Sequence, residues 1–358
     1  MKYPFKINLT QNSRLKDVDF DNLPFGKVFS DHMFVADYID GKWTNLEIRP
    51  VDYLSIHPGN MALHYGQSIF EGMKATRDDE GTPLLFRPEL HAKRINASAH
   101  RMCMPQIPDD LFIQAINNIV ALEKNWIPPT KGSALYLRPF MFATDETIGV
   151  KASDTYKFII FTMPVGPYYS EPVNLIAQDK YVRAVVGGVG DAKTSGNYAA
   201  SLLPAQEARA DGFHQVMWLD GIHRKYIQEV GTMNIFFVVD GEVLTPNLDG
   251  AILDGITRRS IIQLLEDAGH KVTQRPISID EIVEADKKGK LTEMFGTGTA
   301  AVVAPVGKLK YKDYTINFVQ KADSVGQYAK DTINGLRNRT IEDKHHWLSE
   351  AQAYEMVG

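Results

Sequence analysis

A single cysteine, Cys103, stands in a chain of 358 residues. One thiol forms neither an intrachain disulfide nor a cysteine zinc knuckle, and within RMCMP it reads as a small buried hydrophobe. No apolar run approaches the roughly 18 residues a membrane span requires, and FIIFTMPV (158–165) is strand-sized. The opening segment MKYPFKINLTQNSRLK lacks a signal-type apolar stretch, and Asp17, Asp19 and Asp21 follow at once. That argues against an acid-poor transit segment and sets the cytoplasm as the expected compartment. A basic excess is missing too: Lys plus Arg number 39 against 44 for Asp plus Glu, a net charge of −5. Such a chain lacks the electrostatic footprint of a nucleic-acid binder. The lysine-rich stretches ADKKGK (285–290) and GKLKYKD (307–313) read as solvated faces. With 44% hydrophobic and 23% charged residues, disorder, collagen and coiled coil are excluded, leaving a globular chain of two-domain length.

Several common sites are also absent. There is no H-E-x-x-H, no G-x-S-x-G and no Walker A, and the adjacent His345-His346 cannot both reach one metal from a helix or strand. GTGTAA (296–301) matches the dinucleotide pattern G-x-G-x-x-A, but the strand-like VVAPVG follows, with Pro305, where a helix is required.

What is present has a clear order. Asp40-Gly41 joins two strand-like runs in YIDGKW (38–43), a hairpin signal. RPELHAKRINASAHRM (87–102) reads as a helix with Pro88 in its first turn. A second helix is expected over 108–126, with Ile113, Ile116, Ile119 and Val120 on one face. Two apolar strands follow (133–143 and 156–165), then the turn-rich GPYYSEPVN (166–174). The expected division is a first domain over 1–167, a linker over 168–174 and a second domain over 175–358. VRAVVGGVGDAKTSGNYAASLLPAQEARADG (182–212) reads as strand, glycine-rich loop and helix, stopped by Gly212. Asp220-Gly221 and Asp240-Gly241 join further strands, and TRRSIIQLLEDAGH (257–270) is an amphipathic helix ended by Gly269. Strands in groups followed by helices define an α+β class.

The chemistry concentrates in a lysine, a carboxylate and three anion cups. Lys193 lies among Gly187, Gly188, Gly190, Ala192 and Gly196, where small neighbours admit a planar group. A lysine withdrawn from solvent can lose its proton and attack a carbonyl. Glu229 opens EVGTMNIFFVV, a run entering a buried strand, where a carboxylate needs a cationic partner. That carboxylate either reaches water or a neighbouring arginine, or faces a pyridine nitrogen, whose protonation makes the ring an electron sink. Gly255, Ile256 and Thr257 precede a helix and offer its N-terminus to an anion. Gly296 to Thr299 form a turn whose amides can make an anion nest, and Arg94 lies mid-helix on the stripe Leu90, Arg94, Ala97, Arg101. One amine, one acid and a phosphate cup point jointly to pyridoxal phosphate.

These residues sit in longer blocks: LHYGQSIFEGMKA (63–75), LYLRPFMFATDETIGV (135–150), VGGVGDAKTSGNY (186–198), QEVGTMNIF (228–236), LDGITRRS (253–260) and FGTGTAAVVAPV (295–306). Through them the chain resembles the branched-chain-amino-acid aminotransferases, fold-type IV enzymes that use pyridoxal 5′-phosphate. The resemblance implies a small N-terminal α/β domain and a larger C-terminal domain with a β-barrel-like sheet and helices. It implies that Lys193 binds the cofactor's aldehyde and moves the proton between substrate α-carbon and C4′. Glu229 would meet the pyridine nitrogen and Tyr198 the phenolic oxygen, while Arg94, Ile256, Thr257 and Thr299 would hold the phosphate. Tyr136, Arg138 and the Ala300 amide, supported by Thr232, would bind the substrate carboxylate.

By the same resemblance, Phe25, Tyr65, Phe70 and Tyr168 would wall the side-chain pocket. Tyr65, Ile148 and Val150 would come from a second subunit, implying a homodimer. Small-molecule partners are implied: leucine, isoleucine and valine, their 2-oxo acids, and glutamate. No metal, nucleic acid or membrane is expected. Arg138 is the one cation assigned to the pocket, so entry of glutamate is implied by the resemblance alone. Mammalian members carry a redox Cys-x-x-Cys where this chain has Ala301 and Ala304, which disfavours thiol control and favours a microbial biosynthetic enzyme. The alternatives on the same fold are a D-amino-acid transaminase, a 4-amino-4-deoxychorismate lyase and a non-catalytic binding protein. The YLRP and EVGTMN blocks disfavour the first two, and the presence of both Lys193 and Glu229 the third.

Overall fold

Pairs of consecutive positive φ angles fix two of the hairpins. Asp40 and Gly41 have φ of 51° and 75°, Asp240 and Gly241 53° and 81°, the mirror-image turn that matches strand twist. They pair Ile39 with Lys42 and Val239 with Glu242. A computed structural model describes residues 3–169 and 171–353. The chain divides into two compact units, Met1–Tyr168 with Ala192–Ser195 and Gly335–Gly358, and Tyr169–Asp191 with Gly196–Asn334. The class is α+β, as expected. Among the described residues no helix is long and apolar enough to cross a membrane.

The first unit is built on a nine-stranded sheet. The strands His32–Ile39, Tyr156–Val165 and Ala134–Ala143 lie side by side and antiparallel at its centre. Along Ala134–Ala143 run Ser68–Phe70 and then Met73–Arg77. Pairing lapses between them at Glu71 and Gly72, opposite Pro139, which has no N–H to contribute. The helices Pro88–Arg101 and Asp109–Leu122 cover the sheet, burying Ile95, Ala99, Phe112, Ile116, Ile119 and Val120 in one core.

The second helix is shorter than the expected 108–126. It stops at Leu122, and Lys124–Trp126 tightens into a 3-10 turn. Tertiary bonds account for the stop: Glu123 is buried against His32 Nδ1, and Trp126 Nε1 donates to Asp31 Oδ2 at 3.2 Å. Cys103 is exposed, with φ of 53°, not buried as RMCMP suggested.

The second unit holds another nine-stranded sheet. The strand Val302–Tyr311 serves both of its halves. Its first residues pair antiparallel with Leu291–Gly298, and its later ones run parallel to Val173–Gln178 and antiparallel to Tyr314–Asn317. Pro305 therefore lies in a strand, and no helix follows GTGTAA. The strand expected over 182–186 does not form. Val185 and Val186 are 41% and 59% exposed, and the sheet takes Val173–Gln178 instead, a strand that begins in the last two residues of the expected linker. The helix Ile256–Asp267 forms as expected, followed by Gly269 at φ 84°. At Asp220-Gly221 a longer turn replaces a two-residue one, because the Asp220 carboxylate accepts the amides of Ile222, His223, Lys225 and Tyr226.

The expected second domain, 175–358, loses two pieces to the first unit. Leu348–Glu350 pairs antiparallel with Pro83–Phe86, adding an edge strand to the first sheet. Ala192–Ser195 joins the first unit through hydrogen bonds described below.

Candidate active site

In the first unit, Ile69 and Thr194 form an antiparallel bridge. The Phe70 amide donates to the Lys193 carbonyl at 3.0 Å, the Lys193 amide to Ser98 Oγ at 2.9 Å, and Thr194 Oγ1 to the Ser68 carbonyl at 2.8 Å. The lysine backbone is thus held on both sides. Its side chain is half-buried, with Nζ 4.9 Å from the centre of the Phe70 ring. The Arg138 guanidinium carbon lies 4.6 Å from the centre of the same ring. One aromatic side chain therefore neighbours both an amine and a fork-shaped cation.

Arg138 and Tyr136 lie two residues apart on Ala134–Ala143, so their side chains share a face. Arg138 Nη2 donates to the Tyr136 hydroxyl at 3.2 Å, and Arg138 Nε is buried without a partner. Among the described residues no carboxylate pairs with this guanidinium. Gly72 makes room for the tyrosine, since a Cβ there would sit 2.0 Å from the Tyr136 hydroxyl. The Phe25 ring meets Tyr136 and Tyr168 edge-on, at 5.4 and 5.0 Å between centroids. The result is a guanidinium and a hydroxyl set among aromatic rings, a group that can receive a carboxylate. Tyr65, Ile148 and Val150 stand on the surface of the same unit, 39%, 64% and 90% exposed.

Arg94 lies on the helix Pro88–Arg101, but not with the stripe expected from sequence, for Ala97 and Arg101 face solvent. Its neighbours one turn away are His91 and Ser98, both buried. Arg94 donates from Nε and Nη2 to Glu71, at 2.6 and 2.9 Å, and His91 Nδ1 lies 2.7 Å from Glu71 Oε2. Burial opposes the charge on Glu71, but the Arg94 guanidinium outweighs it and holds the carboxyl well below the usual range. Burial pushes the His91 imidazole down, toward its neutral form.

In the second unit, Glu229 lies on the strand Ile227–Val230, where all four residues are buried. Its Oε2 is 3.0 Å from Arg183 Nε, an ion pair off the straight hydrogen-bond line. Its Oε1 accepts the Leu253 amide at 2.9 Å and Asn234 Nδ2 at 3.3 Å. Gly255 follows Leu253 closely, and a Cβ on it would lie 2.0 Å from Asn234 Oδ1. The helix Ile256–Asp267 begins there with no side chain capping it. Its first amides, those of Ile256 and Thr257 among them, have no carbonyl one turn back, the kind of helix end that can receive an anion.

Thr299 and Ala300 occupy the turn closed by the pair Gly298 and Val302. Val302, β-branched and buried, is held at φ 61°, an unusual conformation that fixes the turn's exit. Thr232 is exposed in the tight turn between Val230 and Met233, and Tyr198 is half-buried on the short helix Ser195–Ala199.

One glycine near Lys193, Gly190, differs from the expectation, whereas a Cβ on Gly187 or Gly196 would meet nothing within 4 Å. A Cβ on Gly190 would lie 2.3 Å from the Ala251 carbonyl oxygen, so protein packing requires this glycine. Sequence reasoning missed Glu71, Ser98 and Arg183. Arg183 carried a signal, since a charged residue inside VRAVV conflicts with a buried strand, but its partner is remote in sequence. Glu71 stood in plain view within FEG, and only the fold pairs it with Arg94.

The chain matches the family described as amino-transferase class IV over residues 68–309, and it belongs to that family. It is an aminotransferase by fold and descent. It is 47% identical over 359 residues to branched-chain-amino-acid aminotransferase 2 of Bacillus subtilis, covering 98% of each chain. A solved branched-chain amino acid aminotransferase from Escherichia coli superposes with a TM-score of 0.72 at 26% identity, over 90% of this chain and 99% of that one. A T.th. branched-chain amino acid aminotransferase, solved with pyridoxamine 5′-phosphate, gives 0.70 at 26% identity, over 88% and 98%.

The buried pair of Arg183 and Glu229 yields a direct expectation for stability. Arg183→Met strands a carboxylate in the protein and costs about 3–5 kcal/mol. Adding Glu229→Gln recovers much of that loss, as measured by denaturant unfolding. A cost below about 1 kcal/mol for the single variant contradicts the pairing.

Proposed function

We propose that the protein transfers the amino group between L-leucine, L-isoleucine or L-valine and 2-oxoglutarate, by a ping-pong reaction that uses pyridoxal 5′-phosphate in the cytoplasm. The observation that carries this reading is the Phe70 ring, with the Lys193 amine 4.9 Å from its centre and the Arg138 guanidinium 4.6 Å. An amino acid offers a nitrogen to the reaction and a carboxylate to a cation, and this surface presents the matching groups beside aromatic walls. Arg138 and Tyr136 bind the substrate carboxylate, with the Ala300 amide and Thr232 as further contacts. Phe25, Phe70 and Tyr168 would face the substrate's apolar side chain.

The residues fit the cofactor. The uncapped helix start at Ile256 and Thr257 is suited to a phosphate, with Thr299 and Arg94 as its other ligands. Pyridoxal phosphate supplies a ring that withdraws electrons from the substrate α-carbon. Glu229 holds a proton at the pyridine nitrogen, and its bonds to Arg183, Leu253 and Asn234 fix the carboxylate for that task. Tyr198 meets the phenolic oxygen. Lys193 Nζ would hold the cofactor through its aldehyde and, once released as a free amine, would move the proton at the substrate α-carbon.

A homodimer completes the reading. Tyr65, Ile148 and Val150 are apolar or aromatic side chains left on the surface of the first unit, with Leu63 at 65% and Tyr53 at 97% exposure nearby in sequence. Sedimentation equilibrium is expected to give twice the chain mass of 40.2 kDa, and a single-chain mass at micromolar concentration contradicts the dimer.

Leucine with 2-oxoglutarate is expected to yield glutamate, whereas D-alanine does not serve as donor. Lys193→Ala and Glu229→Gln each lower kcat by at least about 10²–10⁴-fold. Retained turnover in Lys193→Ala, or a preference for D-alanine over leucine, overturns the proposal.

A further inference from the structure

We infer that Glu71 is a positioning residue for the cofactor phosphate, acting through Arg94. The inference rests on the reading of Arg94 as a phosphate ligand. Arginine is a long side chain with many rotamers, and a phosphate contact needs its planar fork held at one angle. Glu71 supplies that hold with two bonds, to Nε at 2.6 Å and Nη2 at 2.9 Å. The carboxylate is itself held by His91 Nδ1 at 2.7 Å and the Gly72 amide at 3.2 Å, and the residue's backbone by the bond from its amide to the Pro139 carbonyl at 2.7 Å.

Burial is graded along this group. The side chains of Glu71, His91 and Arg94 are 0%, 4% and 11% exposed, so the arginine is the member that reaches outward. A wholly buried carboxylate is a poor device for stability alone, since well-packed apolar residues often serve as well as a buried ion pair. Near a phosphate it is also repulsive. Its contribution is therefore orientation of the cation, and orientation has a signature that attraction or folding alone lacks. It matters for a ligand carrying a phosphate and not for the same aldehyde without one.

The helix links this group to the reactive lysine. Arg94 and Ser98 are one turn apart, and Ser98 Oγ accepts the Lys193 amide. Fixing Arg94 on that helix therefore places the phosphate ligand in register with the Lys193 backbone, both within the first unit.

The test titrates apoprotein with pyridoxal phosphate and with pyridoxal, following visible absorbance. In Glu71→Gln, pyridoxal phosphate affinity is expected to fall about tenfold to a hundredfold, with pyridoxal affinity changed less than about threefold. Arg94→Met gives the same selective loss, and Glu71→Gln added to it gives no further one. Equal weakening of both aldehydes, no weakening, or full additivity with Arg94→Met overturns the inference. If Glu71→Gln does not fold, Glu71→Asp keeps the charge on a shorter stem, and a smaller loss confined to pyridoxal phosphate is expected. An unselective or absent effect there overturns it equally. A wild-type protein that binds neither aldehyde contradicts the proposed function. Tight wild-type binding with an unchanged ratio in the variants contradicts this inference alone.

Discussion

The organisation of this protein depends on a short segment leaving its sequence neighbours. Ala192–Ser195 belongs to the first unit while the residues on either side belong to the second. A bridge to Ile69 and hydrogen bonds with Phe70, Ser98 and Ser68 hold it there. The consequence is chemical. A lysine carried by a mobile loop would sample many positions, whereas a backbone bonded on both sides delivers its amine to one aromatic ring. That ring also faces Arg138, so the strand that carries Arg138 and the segment that carries Lys193 are parts of one hydrogen-bonded assembly. The lapse in pairing opposite Pro139 contributes to it. Glu71 keeps only its amide bond to the Pro139 carbonyl and turns its side chain to Arg94, while Gly72 leaves space for the Tyr136 hydroxyl.

Buried charge is handled in the same manner in both units. Glu71 is matched by Arg94, and Glu229 by Arg183, each with additional donors on the carboxylate. An isolated buried carboxylate is costly. Paired, each of these has its orientation set before any ligand arrives. Such preorganisation lets a site act on a charged ligand without rearranging during the reaction. The helix Ile256–Asp267 begins after Gly255 without a capping side chain, so the first turn's amides are left without a side-chain acceptor.

Local signals in the sequence located most of the elements. The Asp-Gly turns at 40–41 and 240–241 formed because their positive φ angles are a property of two residues. The helices at 88–101 and 256–267 formed where Pro88 and the apolar spacing placed them. What local signals could not convey was pairing across long separations. VRAVV has the composition of a strand, yet Arg183 turns to Glu229 and the sheet recruits Val173–Gln178. The helix after Asp109 stops at Leu122 because Glu123 is bound to His32, far away in the chain. In the candidate site, reactive residue types were visible in their motifs, whereas the residues that orient them were not. Glu71, Ser98 and Arg183 carry no chemistry of their own, and their roles exist only once the chain is folded.

The central claim is that Lys193 is the amine that takes the cofactor aldehyde, and a competitor exists within the same unit. Lys74 is buried, and desolvation brings its ammonium down to about 7, which makes it a second candidate nucleophile on acidity alone. Borohydride reduction of the protein with bound pyridoxal phosphate, followed by peptide mass spectrometry, separates the two. The account predicts the phosphopyridoxyl mass on the peptide containing Lys193 and on no other. That mass on the Lys74 peptide, with Lys193 unmodified, would contradict it.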